Sequence, residues 1–240
     1  MTMIESQREA RFAELADEWR SIEASANAVD EARFAMVQRE AREIVDAGRW
    51  TSGPSDVLTI LGRHRDELVH SRMLAWLLTP TGRHGLGRRF LRAFVAEVWP
   101  NDPIGELGTI LLELETTRTG VSGLTGEAVA ARADVVVHGD SVVIVIENKV
   151  DAGEQPLQCE RLYWSWISES AETRWVYLTP TGRAPTSFVS AEARAAWHTA
   201  SYGHVRRALE RSLGALGDDA RRPGHDAALQ YLATLRAQDY

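Results

Sequence analysis

The 240-residue chain contains 44% apolar and 25% charged residues, an ordinary globular composition that argues against a disordered or fibrous protein. No window approaches the ~20 apolar residues of a membrane helix, and the first residues lack the apolar segment of a signal peptide, so we expect neither a membrane span nor secretion. The single cysteine, Cys159, excludes an internal disulfide and a cysteine-built zinc site, as is typical of a cytoplasmic protein. The net charge of −7 argues against a nucleic-acid partner, yet residues 61–99 contain seven arginines and only three acidic residues.

The first 50 residues form a polar segment rich in Ala, Glu and Arg. Between residues 5 and 47, apolar residues recur three or four positions apart, which predicts two amphipathic helices with a break near residues 25–30. No catalytic pattern is visible there, so we interpret residues 1–50 as a helical packing or dimerisation arm. Residues 51–240 are then the second domain.

Three helical segments follow the arm. Turn residues at 51–56 precede a short predicted helix from about Val57. Residues 66–78 predict a clear helix, which Pro80 and Gly82 end. A Gly-rich turn then leads into another amphipathic helix that extends to about Trp99.

The middle of the chain predicts strands. Segments 110–116, 133–138 and 141–147 have strand-like patterns, and Gly139-Asp140 is a hairpin signal between the second and third of them. The third contains VVIVI, which is apolar at every position and therefore predicts a central strand covered on both faces. A helix over 155–169, a strand over 174–179 and mainly helix over 191–238 complete the prediction.

The hairpin also predicts a charged cluster. With its turn at Gly139-Asp140, Asp134 would lie diagonal to Glu147, and Lys149 would share their face of the sheet, with about 7 Å between the Cβ atoms of the two acidic residues. Asn148 would point to the other face. Two such carboxylates can hold Mg²⁺, and the ammonium could polarise a metal-bound water or balance charge on a phosphate. A pattern this short also fits a structural ion cluster at a sheet edge, the commoner explanation for D…ExK alone.

Residues outside the D…ExK pattern favour the metal site over the structural ion cluster. Upstream of the IENK strand lies a block of the form E..HS..L.WLL.P…HG.G..FL, and together the two resemble the PD-(D/E)XK nuclease superfamily over about residues 60–185. The matching residues are Glu67, His70, Ser71, Leu74, Leu77, Leu78, Pro80, His84, Gly85, Gly87, Phe90, Leu91, Asp134, Glu147, Asn148, Lys149 and Gln158. One departure is Ala133, where the superfamily name has Pro.

The resemblance implies an α/β fold, a restriction-endonuclease-like αβββαβ core with a mixed central sheet, here with an N-terminal helical arm and C-terminal helices. It also implies roles at the site. Asp134 and Glu147 would be ligands of Mg²⁺ or Mn²⁺, with Glu67 as an additional carboxylate near the metal. Lys149 would supply the ammonium at the reacting phosphate, and Gln158 would be a supporting polar group.

Two candidate nucleic-acid contacts lie after the second helical segment. His84 precedes the Gly-rich turn, where it could contact phosphate or cap the following helix, and the sequence does not favour either. Arg88, Arg89 and Arg92 form a positive stripe that could follow a nucleic-acid backbone, although arginines on a helix are usually just solvated.

For two other sets of polar residues, the sequence favours a structural role over a catalytic one. Glu115 could face the site from the first strand, but a surface carboxylate at a strand end is the simpler interpretation. Glu67, His70 and Ser71 could suggest a nucleophilic triad. Because His70 is rotated away from the face that Glu67 and Ser71 share, a hydrogen-bonded helix surface is favoured.

The sequence therefore predicts a metal-dependent nuclease that hydrolyses phosphodiester bonds in DNA, in restriction, phage defence or repair. The alternative is a non-catalytic nucleic-acid-binding or assembly module that keeps the fold, with the N-terminal helices as the surface for a second copy or another protein. Lys149 is the only lysine among 27 basic residues. Because this chain otherwise uses Arg, its presence at the carboxylate cluster suggests that a compact ammonium is required there.

Overall fold

The computed structural model describes residues 3–49, 51–167, 171–216 and 223–240. The chain divides into two compact units, Met1–Gly53 and Pro54–Tyr240. No helix in the described part of the chain is long and apolar enough to cross a membrane.

The first unit is one helix, α1 (Met3–Asp46), rather than the two helices that the sequence predicted. Residues 25–30 contain neither Gly nor Pro, and their alanines favour helix, so nothing breaks the backbone there. Its large apolar side chains, among them Phe12, Trp19 and Phe34, are exposed.

The second unit opens with three helices, α2 (Val57–Ile60), α3 (Glu67–Leu78) and α4 (Arg89–Val98). The Asp66 side chain accepts a hydrogen bond from Val69 N and thereby caps α3, which matches the predicted helix over 66–78. This cap fixes where α3 begins and places Glu67 in its first turn.

A five-stranded sheet follows, in the order β1 (Leu111–Val121), β2 (Ala128–His138), β3 (Val142–Asn148), β4 (Glu172–Thr179) and β5 (Trp197–Ser201). The β1–β2 and β2–β3 pairs are antiparallel, whereas β3–β4 and β4–β5 are parallel. The remaining helices are α5 (Gln158–Trp166), α6 (Ala191–Ala196), α7 (Tyr202–Gly214) and α8 (His225–Ala237). The order α3–β1–β2–β3–α5–β4 confirms the predicted restriction-endonuclease-like αβββαβ core with a mixed sheet.

Several predicted boundaries differ from the observed ones. The strands β1 and β2 are each 11 residues long because Thr, Val and Ala continue the ladder out to a turn at residues 122–127. The predicted helix over 155–169 is shorter, and residues 168–170 lie outside the described part of the chain. The strand β5 lies in the segment predicted as helix, because five residues between two helices give too short a pattern to distinguish.

The β2–β3 turn is displaced by one residue from its predicted position. Gly139 N donates to Val142 O (2.7 Å), so Asp140 and Ser141 form the turn. Gly139 instead allows the Leu107 backbone to lie close to the strand, since a Cβ at this position would be 2.6 Å from the Leu107 carbonyl oxygen. Asp134 is therefore directly opposite Glu147 rather than diagonal to it, in a register that pairs Val135 with Ile146.

The sheet has an apolar core on each face. On one face, Val135, Ile144 and Ile146 pack with buried residues of α3, α4, α7 and α8. On the other, Val143 and Val145 pack with Cys159, Leu162 and Trp166 of α5. The VVIVI segment is fully covered, as its sequence predicts, and the two polar residues that follow Ile146 continue into this interior.

Candidate active site

The site lies at the carboxyl end of β3, where polar residues replace the apolar ones. Side chains alternate along a strand, so Glu147 and Lys149 share the face covered by α5, and Asn148 points to the opposite face. Glu147 and Asn148 are fully buried and Lys149 is 6% exposed. Burial of this kind requires partners for each polar atom, because an unpaired buried charge is costly.

Lys149 joins two carboxylates from different elements. Its Nζ lies 2.6 Å from Oε1 of Glu147 and 3.5 Å from Oε1 of Glu67. The other oxygen of Glu67 accepts from Val150 N at 3.1 Å. Burial alone would lower the pKa of Lys149, but the charges of Glu147 and Glu67 raise it, so the side chain is an ammonium at neutral pH.

Asp134 completes the charged cluster from β2. Its Oδ2 accepts from the backbone N of Asn148 at 2.7 Å, at the point where the β2–β3 ladder ends. Burial raises the pKa of Asp134, and the hydrogen bond from Asn148 and the charge of Lys149 oppose that shift. The carboxylate is thus fixed beside Glu147 by the backbone of the neighbouring strand.

Glu147 has one satisfied and one unsatisfied oxygen. Oε1 accepts from Nε2 of Gln158 at 2.6 Å as well as from Lys149, whereas Oε2 is buried without a hydrogen-bond partner among the described residues. Burial raises the pKa of Glu147 to about 8, and the charge of Asp134 adds to the shift. A cation close to Oε2 and Asp134 would relieve both the unsatisfied oxygen and the repulsion between the carboxylates.

These two carboxylates fit a Mg²⁺ or Mn²⁺ ion, since Mg²⁺ is commonly held by one or two carboxylates together with waters and substrate phosphates. Across the described ranges, no three His, Cys, Asp or Glu side chains converge as a metal site. Glu67 reaches the cluster through Lys149, and its direct contact with a metal stays a prediction.

Asn148 forms a buried clamp that the sequence analysis missed. Its Nδ2 donates to the Glu67 carbonyl oxygen and to Ser71 Oγ, both at 3.0 Å, and its Oδ1 accepts from Tyr202 OH at 2.7 Å. The clamp ties the first turn of α3 and the start of α7 to β3, and so holds the Glu67 carboxylate beside Lys149. The Asn in the IENK strand was the one sequence feature that could have indicated this clamp. No sequence feature pointed to Tyr202.

His70 and Ser71 are structural, as expected, although they are buried rather than on a helix surface. Nδ1 of His70 lies 2.9 Å from Tyr231 OH and Nε2 lies 2.7 Å from the His64 carbonyl oxygen. Ser71 Oγ donates to the Glu67 carbonyl oxygen. The hydroxyl and the imidazole therefore have separate partners, and the geometry offers no triad.

Glu115 lies within β1 rather than at its end. It has a φ of 48°, and its Oε1 is 3.6 Å from Nη2 of Arg132, so its charge is directed to that arginine. His84 is fully buried, with Nε2 3.0 Å from the Thr79 carbonyl oxygen and Nδ1 accepting from Leu86 N. In this geometry His84 holds the Gly-rich turn together and presents no free ring nitrogen to a phosphate.

The predicted arginine stripe lies away from the carboxylates. Arg92 pairs with Glu106 at 3.1 Å, and the adjacent Leu107 carbonyl oxygen accepts from Asp140 N at the β2–β3 turn. Residues 142–146 of β3 separate that turn from Glu147, and the six steps from Ser141 to Glu147 span about 20 Å at ~3.3 Å per residue. Arg88 is the N-cap of α4 and Arg89 begins it. The structure does not bring any of the three to the cluster.

A comparison with protein-family models gives a match over most of the second unit. The model described as PD-(D/E)XK nuclease superfamily matches residues 55–232, which includes every residue of the cluster and excludes α1. Searches of curated proteins and of solved structures gave no significant match.

Proposed function

Because the chain belongs to the PD-(D/E)XK nuclease superfamily, we propose that it is a nuclease that uses Mg²⁺ or Mn²⁺ to hydrolyse phosphodiester bonds in DNA. The observation that carries the proposal is the buried, unpartnered Oε2 of Glu147, with Asp134 beside it and Lys149 on the opposite oxygen. Unlike the unpartnered Oδ2 of Asp56, this oxygen lies beside a second carboxylate, so a bound cation would both satisfy it and offset the repulsion between the two carboxylates.

Each residue of the cluster has a role in this proposal. Glu147 Oε2 and the carboxylate of Asp134 would hold the metal, which, when bound, supplies a Lewis acid that polarises a phosphoryl oxygen and activates a water. Lys149 places a positive charge where negative charge develops on the phosphate. Gln158 fixes the orientation of the Glu147 carboxylate, and Glu67 holds Lys149 from the side of α3.

We place the protein's activity in the cytoplasm, in restriction, phage defence or repair, with α1 as the surface for a second copy or another protein. The exposed apolar side chains of α1, such as Phe12 and Trp19, support an association role because an amphipathic helix is stabilised by burying them.

The test is cleavage of plasmid and linear DNA by the full chain. With Mg²⁺ or Mn²⁺ the protein should cut, and excess chelator should stop it. Asp134→Ala and Glu147→Ala should each abolish cleavage while the circular dichroism spectrum is retained. Arg92→Ala, which removes one partner of an exposed ion pair remote from the site, is the matched control and should cut normally. Cleavage by Glu147→Ala at the wild-type rate, or binding activity that survives chelation with no cleavage under any condition, would favour a binding module instead.

A further inference from the structure

A second feature of the structure concerns arginines that have no carboxylate partner. Most arginines of the second unit form ion pairs, as Arg63 does with Asp66 and Arg207 with Glu97. Others lie over aromatic rings, namely Arg118, Arg183 and Arg194. Within the described ranges, the second-unit arginines left with neither kind of partner are Arg72, Arg83, Arg88, Arg89 and, on α5, Arg161. Four of these five therefore lie between Arg72 on α3 and Arg89, the exposed first residue of α4, whose backbone N donates to the Leu86 carbonyl oxygen of the Gly-rich turn.

Their positions follow α3 away from the active site. The helix begins at Glu67, beside Lys149, and its 12 residues span about 18 Å at ~1.5 Å per residue. Arg72 is exposed, and Trp76 lies one turn further along the same face. The Trp76 ring packs against His84 (5.0 Å between ring centroids), so this face leads directly to the turn that carries Arg83.

The turn lines an open surface groove of about 510 Å³. Among the described residues that line the groove, Arg83 is the one with a charged side chain, and the others are Pro80, Thr81, Gly82, Gly85, Gly87 and Pro223. No carboxylate is among these lining residues. Both ring nitrogens of the buried His84 bond within this turn, so its shape is set before any ligand arrives.

We propose that Arg72, Arg83 and Arg89 bind backbone phosphates of the DNA whose scissile bond lies at the Glu147 cluster. The distance from the cluster to the turn corresponds to about five base-pair steps at ~3.4 Å each. This inference rests on the proposed function and extends it, because it requires a substrate long enough to reach from the site to the turn. Arg88 and Arg92 do not belong to this contact surface, since both line a different groove that contains Glu106, the carboxylate that pairs with Arg92 at 3.1 Å.

The experiment measures binding separately from cleavage. A fluorescein-labelled DNA duplex of about 20 base pairs is titrated with the full chain in chelator, at several salt concentrations, and anisotropy reports the affinity. The test variant is Arg72→Ala/Arg83→Ala/Arg89→Ala. The control is Arg92→Ala, an exposed arginine of α4 that has a partner. Each phosphate contact that is lost should lower the slope of log K against log salt by about 0.9.

We expect weaker binding and a flatter salt dependence for the triple variant and wild-type behaviour for the control. With Mg²⁺ and a range of DNA concentrations, kcat of the triple variant should stay near wild type while KM rises. Its advantage on long duplexes over short ones (hairpins of about 4 base pairs, kept paired by a closing loop) should disappear. An unchanged affinity and salt slope in the triple variant, an equal loss in Arg92→Ala, or no salt-dependent binding by the wild type would overturn the inference. Arginine-dependent binding with no metal-dependent cleavage would instead overturn the proposed function, and with it the placement of a scissile bond at the cluster, while the phosphate contacts themselves would be upheld.

Discussion

The Asn148 clamp makes a quantitative prediction about stability. Asn148→Ala removes three buried hydrogen bonds, to the Glu67 carbonyl oxygen, Ser71 and Tyr202. At roughly 1 kcal/mol of net stability for each bond, the free energy of unfolding should fall by about 3 kcal/mol. Tyr202→Phe removes only the bond to Oδ1 and should cost about 1 kcal/mol.

The two substitutions share one bond, and this provides the decisive comparison. The double variant should cost about as much as Asn148→Ala alone, because the Tyr202 hydroxyl has already lost its partner. Urea unfolding followed by tryptophan fluorescence measures all three values, provided that the m-value does not change. Additive losses of about 4 kcal/mol, or a loss below about 1 kcal/mol for Asn148→Ala, would contradict the clamp.

Three further predictions concern the charged cluster and the arm. Lys149→Arg should lower the rate of single-turnover cleavage by orders of magnitude, nearly as far as Lys149→Ala. The reason is that the nearly buried Nζ fits between Glu147 and Glu67, whereas a guanidinium is larger and planar. A rate within a few-fold of wild type would refute this. The raised pKa of Glu147, about 8 in the folded protein, means that the metal-free folded protein retains this proton more strongly than the unfolded chain does, so stability should fall between pH 4.5 and about 8 in denaturation experiments. Glu147→Gln should remove that fall, and an identical pH profile in the variant would be the contrary result. A chain starting at Pro54 should contain fewer copies per particle in light scattering than the full chain, and an equal number of copies would leave α1 without an association role.

The sequence was sufficient to predict the charged cluster because side chains alternate between the two faces of a strand. This alternation does not depend on the exact position of the turn. Moving the turn from Gly139-Asp140 to Asp140-Ser141 shifts each pairing by two positions, so the face that Asp134, Glu147 and Lys149 share is unchanged. Only the relation between the carboxylates changed, from diagonal to directly opposite. The shift itself depends on the close approach of the Leu107 carbonyl oxygen to Gly139, a contact between distant segments that no local pattern records.

The parts that the sequence did not predict depend on tertiary contacts. Tyr202 reaches Asn148 only because β5 adds parallel to β4 and delivers the start of α7 to the site. The same applies to the arginines. A count of charge in residues 61–99 could not separate Arg92, which pairs with Glu106, from Arg72 and Arg83, which have no carboxylate partner among the described residues.

The central claim is that Asp134 and Glu147 hold a catalytic divalent metal, and a crystal soaked in Mn²⁺ tests it most directly. Anomalous scattering should show an ion within coordination distance of Glu147 Oε2 and the Asp134 carboxylate, with Lys149 still bonded to Glu147 Oε1. The Glu147→Gln crystal, soaked in the same way, should lose that peak. A structure of the wild type at saturating Mn²⁺ with no ion at these oxygens, and with the Glu147–Lys149 pair unchanged, would contradict the account.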